Sequence, residues 1–244
     1  MFAYYPVLIL LSPLAAGLII GLLGRVIGPK AGRIGVAAEV ISFALSLLVL
    51  YEVTTRGPQT IHLSPWYDGI LQFGLYIDRL SSVMLVHIAA ISMLIHLFSF
   101  RYMQQESGYT RFHSLLAFTG FVLFGMVSSA NLLMLFIFWQ LLSWLVPLLS
   151  YNNSHPLTVR GAFRTFIMQR VGDFAFLAAV VLAYASYGTW DFQQLFFRAT
   201  EVQSSLFLGP GDSFEMRADT GPCPAARRNY QRRRFSLDPA GAAL

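Results

Sequence analysis

The stretch Leu132-Leu-Met-Leu-Phe-Ile-Phe-Trp139-Gln140-Leu-Leu-Ser143-Trp144-Leu-Val-Pro147-Leu-Leu-Ser150 decides the class of this protein. It runs for 19 residues without an ionisable side chain. At a helical rise of about 1.5 Å per residue it covers about 28 Å, the depth of a bilayer's hydrocarbon core. Five further stretches read the same way on either side: Tyr5–Leu23, Ile34–Val53, Leu80–Phe100, Phe112–Val127 and Phe163–Tyr187. Each must satisfy its own backbone N–H and C=O groups in lipid, which a helix does internally. The first lacks a basic leader region, carries Pro6 and Pro13, and is followed at once by another span, so it reads as a retained helix rather than a signal peptide. The expectation is an all-α membrane protein of about six transmembrane helices.

The composition agrees. Of 244 residues, 56% are apolar and only 12% charged, about half the charged share of a soluble domain. One cysteine, Cys223, allows no intramolecular disulfide, and no Cys/His set has zinc spacing, so no metal is expected. The net charge is +5, but Arg217, Arg227, Arg228 and Arg232–Arg234 crowd the last 28 residues without stacking aromatics, so nucleic acid is not an expected partner. The lipid bilayer is.

Loop charges set the expected orientation. Connections after the first, third and fifth spans hold Arg25, Lys30, Arg33, Arg101, Arg111, Arg160 and Arg164, against Arg56, Arg79 and Arg198 after the others. Basic residues collect on the cytoplasmic side, which places the amino terminus outside the cell's inner (plasma) membrane. The longest link, Glu52 to Arg79, holds Gly57-Pro58, Pro65-Trp66 and Gly69 and reads as turns or a hairpin at the outer interface. From about Gly209 the text changes to Gly-Pro and Arg clusters. It reads as a lipid- or partner-binding basic segment, a solvated tail, or frameshifted sequence.

Ionisable groups inside spans cost about 2.5–3.5 kcal/mol near the centre, so each is a functional candidate. Arg164, Arg170 and Asp173 lie in the sixth span, and Arg170 and Asp173, three residues apart, share a face and can pair. In the third span, His87 and His96 are nine residues apart and face opposite ways; His96 reads either as an interfacial group or as a proton carrier. In the fifth, Gln140 and Ser143 form a small polar pocket, with Pro147 freeing a carbonyl near them. An amide cannot carry a proton as a base, so Gln140 reads as interhelical glue or as a link in a water chain.

Taken in order, Gly74-Leu-Tyr-Ile-Asp78-Arg-Leu-Ser81, Leu94-Ile-His96-Leu-Phe-Ser99, Tyr102-Met103, Gly108-Tyr109-Thr-Arg111-Phe112, Asn131-Leu-Leu133, Trp139-Gln140, Arg170-Val-Gly172-Asp173 and Gly188-Thr-Trp-Asp-Phe192 follow one known pattern. Over roughly residues 70–197 the chain resembles the large antiporter-like membrane subunit of respiratory complex I, called subunit L or chain 5, and its relatives in multisubunit sodium/proton antiporters. The resemblance implies a bundle of about fourteen helices built from inverted repeats, of which this chain would hold the N-terminal part. It divides the chain into introductory helices (1–69), antiporter-like helices (70–197) and a disordered basic tail (198–244). It also implies ion translocation through Gln140, Ser143, Arg164, Arg170, Asp173 and His96, with Gln140 standing where the family has glutamate and Arg164 where it has lysine.

The expected function is therefore that of a non-catalytic, proton- or cation-translocating membrane subunit of a complex I-type NADH-quinone oxidoreductase, in a truncated copy. The partners are its other membrane subunits. No cofactor is expected on this chain, since no glycine-rich nucleotide loop or cysteine set is present. The alternatives are a multisubunit Na+/H+ antiporter, a non-functional fragment, or an inorganic-carbon uptake complex, where a serine four positions after the tryptophan, as Ser143 follows Trp139, is usual.

Overall fold

The structure, a computed structural model, describes residues 4–66, 71–104, 108–150 and 156–207. The Cys223 and arginine-cluster text after Phe207 lies outside them. Among the described residues are six helices long and apolar enough to cross a membrane: α1 (Tyr5–Ile27), α2 (Ala31–Arg56), α3 (Arg79–Tyr102), α4 (Tyr109–Val127), α5 (Leu132–Ser150) and α6 (Pro156–Tyr187). Two strands, β1 (Gln59–Trp66) and β2 (Leu71–Ile77), link α2 to α3, and α7 (Phe192–Phe207) follows α6.

Local sequence sets the ends. Asp78 caps α3 by accepting the Ser81 N–H at 2.6 Å, and Asn131 caps α5 by accepting the Met134 N–H at 2.7 Å; each satisfies a donor that the first helical turn leaves open. Gly57, at φ +91°, closes α2 in a conformation other residues rarely adopt. The link expected to hold turns is an antiparallel hairpin, with Gln59 opposite Ile77 and an irregularity between His62 and Ser64. Leu75 pairs with Ser129, and Asn131 with Asp191. These bridges gather the ends of α2, α4 and α6 on one face of the bundle, the hairpin face, as alternating up-and-down helices require.

Helices α1–α4 form a bundle in which α1 packs on α2 and α4 and α2 packs on α3; α5 joins through α4, and α6 through α5. Residues 1–194 make one compact unit, and a second begins at Leu195. The division expected at 69/70 falls between the strands of one hairpin, and the introductory helices pack directly against α3 and α4. The segment from Arg198, expected to be disordered, is helical as far as Phe207. Helix α6 also starts earlier than expected, which puts Arg160 in its opening turns rather than in a loop.

The polarity of the bundle is that of a membrane protein. Leu22, Leu80, Phe98 and Met168 face outward, while Glu39, Ser42, Ser82, Ser92, His96, Ser114 and Asp173 are buried. Lipid is as apolar as leucine, so helices associate through small residues and internal hydrogen bonds. Ser12 and Ser42 meet at 2.5 Å between α1 and α2, and Ser114 of α4 donates to the Gly17 carbonyl of α1 at 2.8 Å. Toward the hairpin face the interior turns apolar around Ile9, Val49, Val53, Ile77, Leu85 and Phe124.

Candidate functional site

Helices α5 and α6 meet with their polar residues at mid-depth. Asp173 falls at the middle of the Val159–Tyr187 span, and Gln140 lies one residue from the middle of Leu132–Ser150. The Asp173 carboxylate accepts a bond from Trp139 Nε1 at 2.8 Å on Oδ1 and one from the Ser143 hydroxyl at 2.9 Å on Oδ2. The Arg170 guanidinium completes it, with Nη2 2.8 Å from Oδ2. The same Nη2 donates to Ser143 Oγ at 2.5 Å, and Nη1 donates to Gln140 Oε1 at 3.2 Å.

Helical periodicity puts these groups within reach. Trp139 and Ser143 are one turn apart on α5, with Gln140 beside them, and Arg170 and Asp173 are three apart on α6. The pair expected from that last spacing forms, and the α5 side chains close around it. Aromatic rings make the collar: the Arg170 guanidinium carbon is 5.2 Å from the Trp144 ring centre and 4.9 Å from that of Phe166, and Trp139 meets Phe176 edge-on at 5.6 Å. Cation–π contact and low local polarity both strengthen a charge pair removed from water. One turn further along α5, Pro147 has no N–H, so the Ser143 carbonyl lacks its usual helical donor.

Chemically, the network holds one carboxylate with three donors and one guanidinium divided among a carboxylate, a hydroxyl and an amide. Arginine stays charged at any accessible pH and the Gln140 amide cannot take a proton. Asp173 is the one acidic side chain in the network.

Of the six expected site residues, Gln140, Ser143, Arg170 and Asp173 come together. Arg164 does not: it lies six residues before Arg170, on another face of α6, and is exposed. His96 does not either: it is fully buried in the first four helices, its Nδ1 3.0 Å from the Ser92 carbonyl. Sequence reasoning missed the Trp139 indole as a donor, although it sits one turn from Ser143. It also passed over Glu39 and His113, both inside expected spans and both buried.

Comparisons with known proteins identify the family. Residues 68–113 match the family described as NADH-Ubiquinone oxidoreductase (complex I), chain 5 N-terminus, and residues 129–209 that described as NADH:quinone oxidoreductase/Mrp antiporter, TM. The chain is 34% identical over 206 residues to the probable inorganic carbon transporter subunit DabB1 of Halothiobacillus neapolitanus, covering 83% of this chain and 36% of that one. It is 36% identical over 198 residues to the NADH-ubiquinone oxidoreductase chain 5 of Metridium senile, covering 78% and 33%. Its fold is similar, at a TM-score of 0.70 and 20% identity, to a chain of the membrane-bound sulfane sulfur reductase, an archaeal respiratory membrane complex, over 78% of this chain and 39% of that one. The chain spans about a third of the length of the curated relatives it matches.

Proposed function

Because residues 68–209 belong to the antiporter-like membrane-subunit family shared by complex I and the Mrp antiporters, we propose that the chain is a proton- or cation-translocating membrane subunit of a complex I-type NADH-quinone oxidoreductase. One observation carries the reading: the Asp173–Arg170 pair at mid-span, held by Ser143, Trp139 and Gln140. A membrane helix has cheaper ways to pack than burying two charges, which marks the pair as functional. In this reading Asp173 takes up a proton when Arg170 withdraws from it and gives it up when Arg170 returns. The electron-carrying centres and the quinone belong to partner subunits, since this sequence has one cysteine and no nucleotide loop. The chain sits in the inner (plasma) membrane with its amino terminus outside, by the bias of basic residues in the loops.

A second reading is favoured by Ser143. Its hydroxyl is built into the pair, donating to Asp173 and accepting from Arg170, and the inorganic-carbon transporter relative is as similar as the respiratory ones. The same proton movement would then drive carbon uptake. Gene deletion in the native host separates the two, with complementation by the wild-type chain, Asp173→Asn or Arg170→Met. The first reading expects loss of NADH-driven acidification of inverted vesicles, restored only by wild type. Normal acidification with growth dependent on elevated carbon dioxide would establish the second instead, and no defect in either assay would refute both.

A further inference from the structure

The α1–α4 bundle holds a second set of buried ionisable groups that take no part in the α5–α6 network. Glu39, His96 and His113 are each 0% exposed. They belong to three different helices, and glycines let them converge. His96 of α3 lies over Gly35 of α2, where an added Cβ would stand 3.1 Å from its Cδ2. Glu39, one turn further along α2, and Ser92, one turn earlier on α3, both crowd Gly120 of α4. The His113 ring of α4 is 6.4 Å from that of His96 and 4.5 Å from that of Tyr109, whose phenol rests on Gly32 of α2.

These contacts put the groups in an order. Tyr109 lies at the end of the bundle where α1 turns into α2 and α3 into α4, with the Arg33 charge acting on it. His113 comes next, then His96, then Ser92 and Glu39, about 12 Å from the start of α2 at a rise of about 1.5 Å per residue. Beyond Glu39 the path closes: Ser42 is engaged with Ser12, Ser46 bonds the Phe43 carbonyl, and the apolar cluster of Ile9, Val49, Val53 and Phe124 follows. Among the described residues, the titratable or charged groups facing this line are Arg33 and Glu39 from α2, His96 from α3, and Tyr109 and His113 from α4. His87 of α3 is exposed.

The free valences point to one occupant. A carbonyl oxygen only accepts, so His96 Nδ1 donates to Ser92, which leaves Nε2 as an open acceptor. Among the described residues His96 Nε2, both nitrogens of His113 and both Glu39 oxygens have no protein partner in hydrogen-bond geometry; the Ser92 hydroxyl and the Glu39 carboxyl both stand against Gly120. Buried polar atoms left this way are satisfied by ordered water. No cluster among the described residues could hold a metal ion. We propose that Glu39 is a proton-binding site at the blind end of a water-bridged half-channel, loaded from the α1/α2 and α3/α4 turns through His113 and His96. A proton reaches His113, passes to His96 Nε2 to form an imidazolium, and leaves that nitrogen for the Glu39 carboxylate, which becomes the neutral acid; unloading reverses each transfer. The assignment stands apart from the role given to Asp173.

Two measurements on the full chain test it. Dicyclohexylcarbodiimide attacks protonated carboxyls in apolar surroundings, so in native membrane vesicles peptide mass spectrometry should find Glu39 labelled, with labelling rising as pH falls and indifferent to sodium. Infrared difference spectra of the reconstituted chain after a pH step should show a protonated-carboxyl band that is absent in Glu39→Gln. In the double variant His96→Gln, His113→Gln that band should remain while its exchange in D2O slows at least tenfold. An unlabelled Glu39 at low pH would overturn the proposal without any variant having to fold. Protection by sodium at fixed pH would make the site a cation site instead, and unchanged exchange in the double variant would remove the histidines from the path.

Discussion

Breaking the mid-span pair from one side should cost more than removing it altogether. Arg170→Met leaves the Asp173 carboxylate, 7% exposed, with two neutral donors and no counter-charge; an orphaned buried charge costs about 3–5 kcal/mol. Asp173→Asn is milder, about 1–3 kcal/mol for an imperfectly satisfied charged group. Arg170 is 24% exposed on its side chain and keeps Gln140, Ser143 and the faces of Trp144 and Phe166. The double change Arg170→Met, Asp173→Leu removes both charges and should lie within about 1 kcal/mol of wild type, because an apolar replacement of a buried pair is often neutral. At about 2–4 °C per kcal/mol, Arg170→Met should lower the thermal midpoint by roughly 6–20 °C and the double change by little. The assay is the midpoint of the detergent-solubilised chain at one fixed heating rate, with membrane-extracted yield alongside, since unfolding of such proteins is commonly irreversible. Equal losses in all three variants, or additive losses in the double, would refute the coupling and the argument built on it.

Trp139→Phe keeps the ring contact with Phe176 but deletes the donor to Asp173; a loss of about 1–3 kcal/mol in thermal stability is expected, matched by Ser143→Ala and absent from Trp144→Phe, whose indole makes no bond to the carboxylate. Gln140→Glu puts a second carboxylate where Arg170 already donates, at 3.2 Å, so the variant should fold with an unchanged midpoint near neutral pH; a collapse in yield would show that the guanidinium cannot serve two anions. Gly125→Val drives a side chain into the Phe138 ring between α4 and α5, at a cost of about 1–3 kcal/mol that Phe138→Leu should partly relieve. Reporter fusions after Lys30, Gln105 and Asn153 should read cytoplasmic, and an external signal from two of them would reverse the proposed topology.

The sequence by itself determined the spans, their number and the alternation of their ends. A membrane helix is specified by an uninterrupted apolar run of sufficient length, which is local information, and the six runs are the six long helices with ends shifted by a few residues. The Arg170–Asp173 pair was legible for the same reason: two residues three apart on one helix meet whatever else packs around them. The early start of α6 was less legible, because Arg160 looks like a loop residue when counted by charge yet fits the exposed side of a helix. Tertiary structure alone decided the rest. That Trp139 and Ser143 both reach Asp173 depends on the rotation of α5 against α6, which no periodicity in either helix encodes. The separation of Arg164 from the network and the burial of His96 follow in the same way from which face each helix turns inward. Glu39 stands 57 positions from His96 in the sequence, and His113 a further 17 beyond it; they become one site only because Gly32, Gly35 and Gly120 let three helices approach closely enough to bring them together.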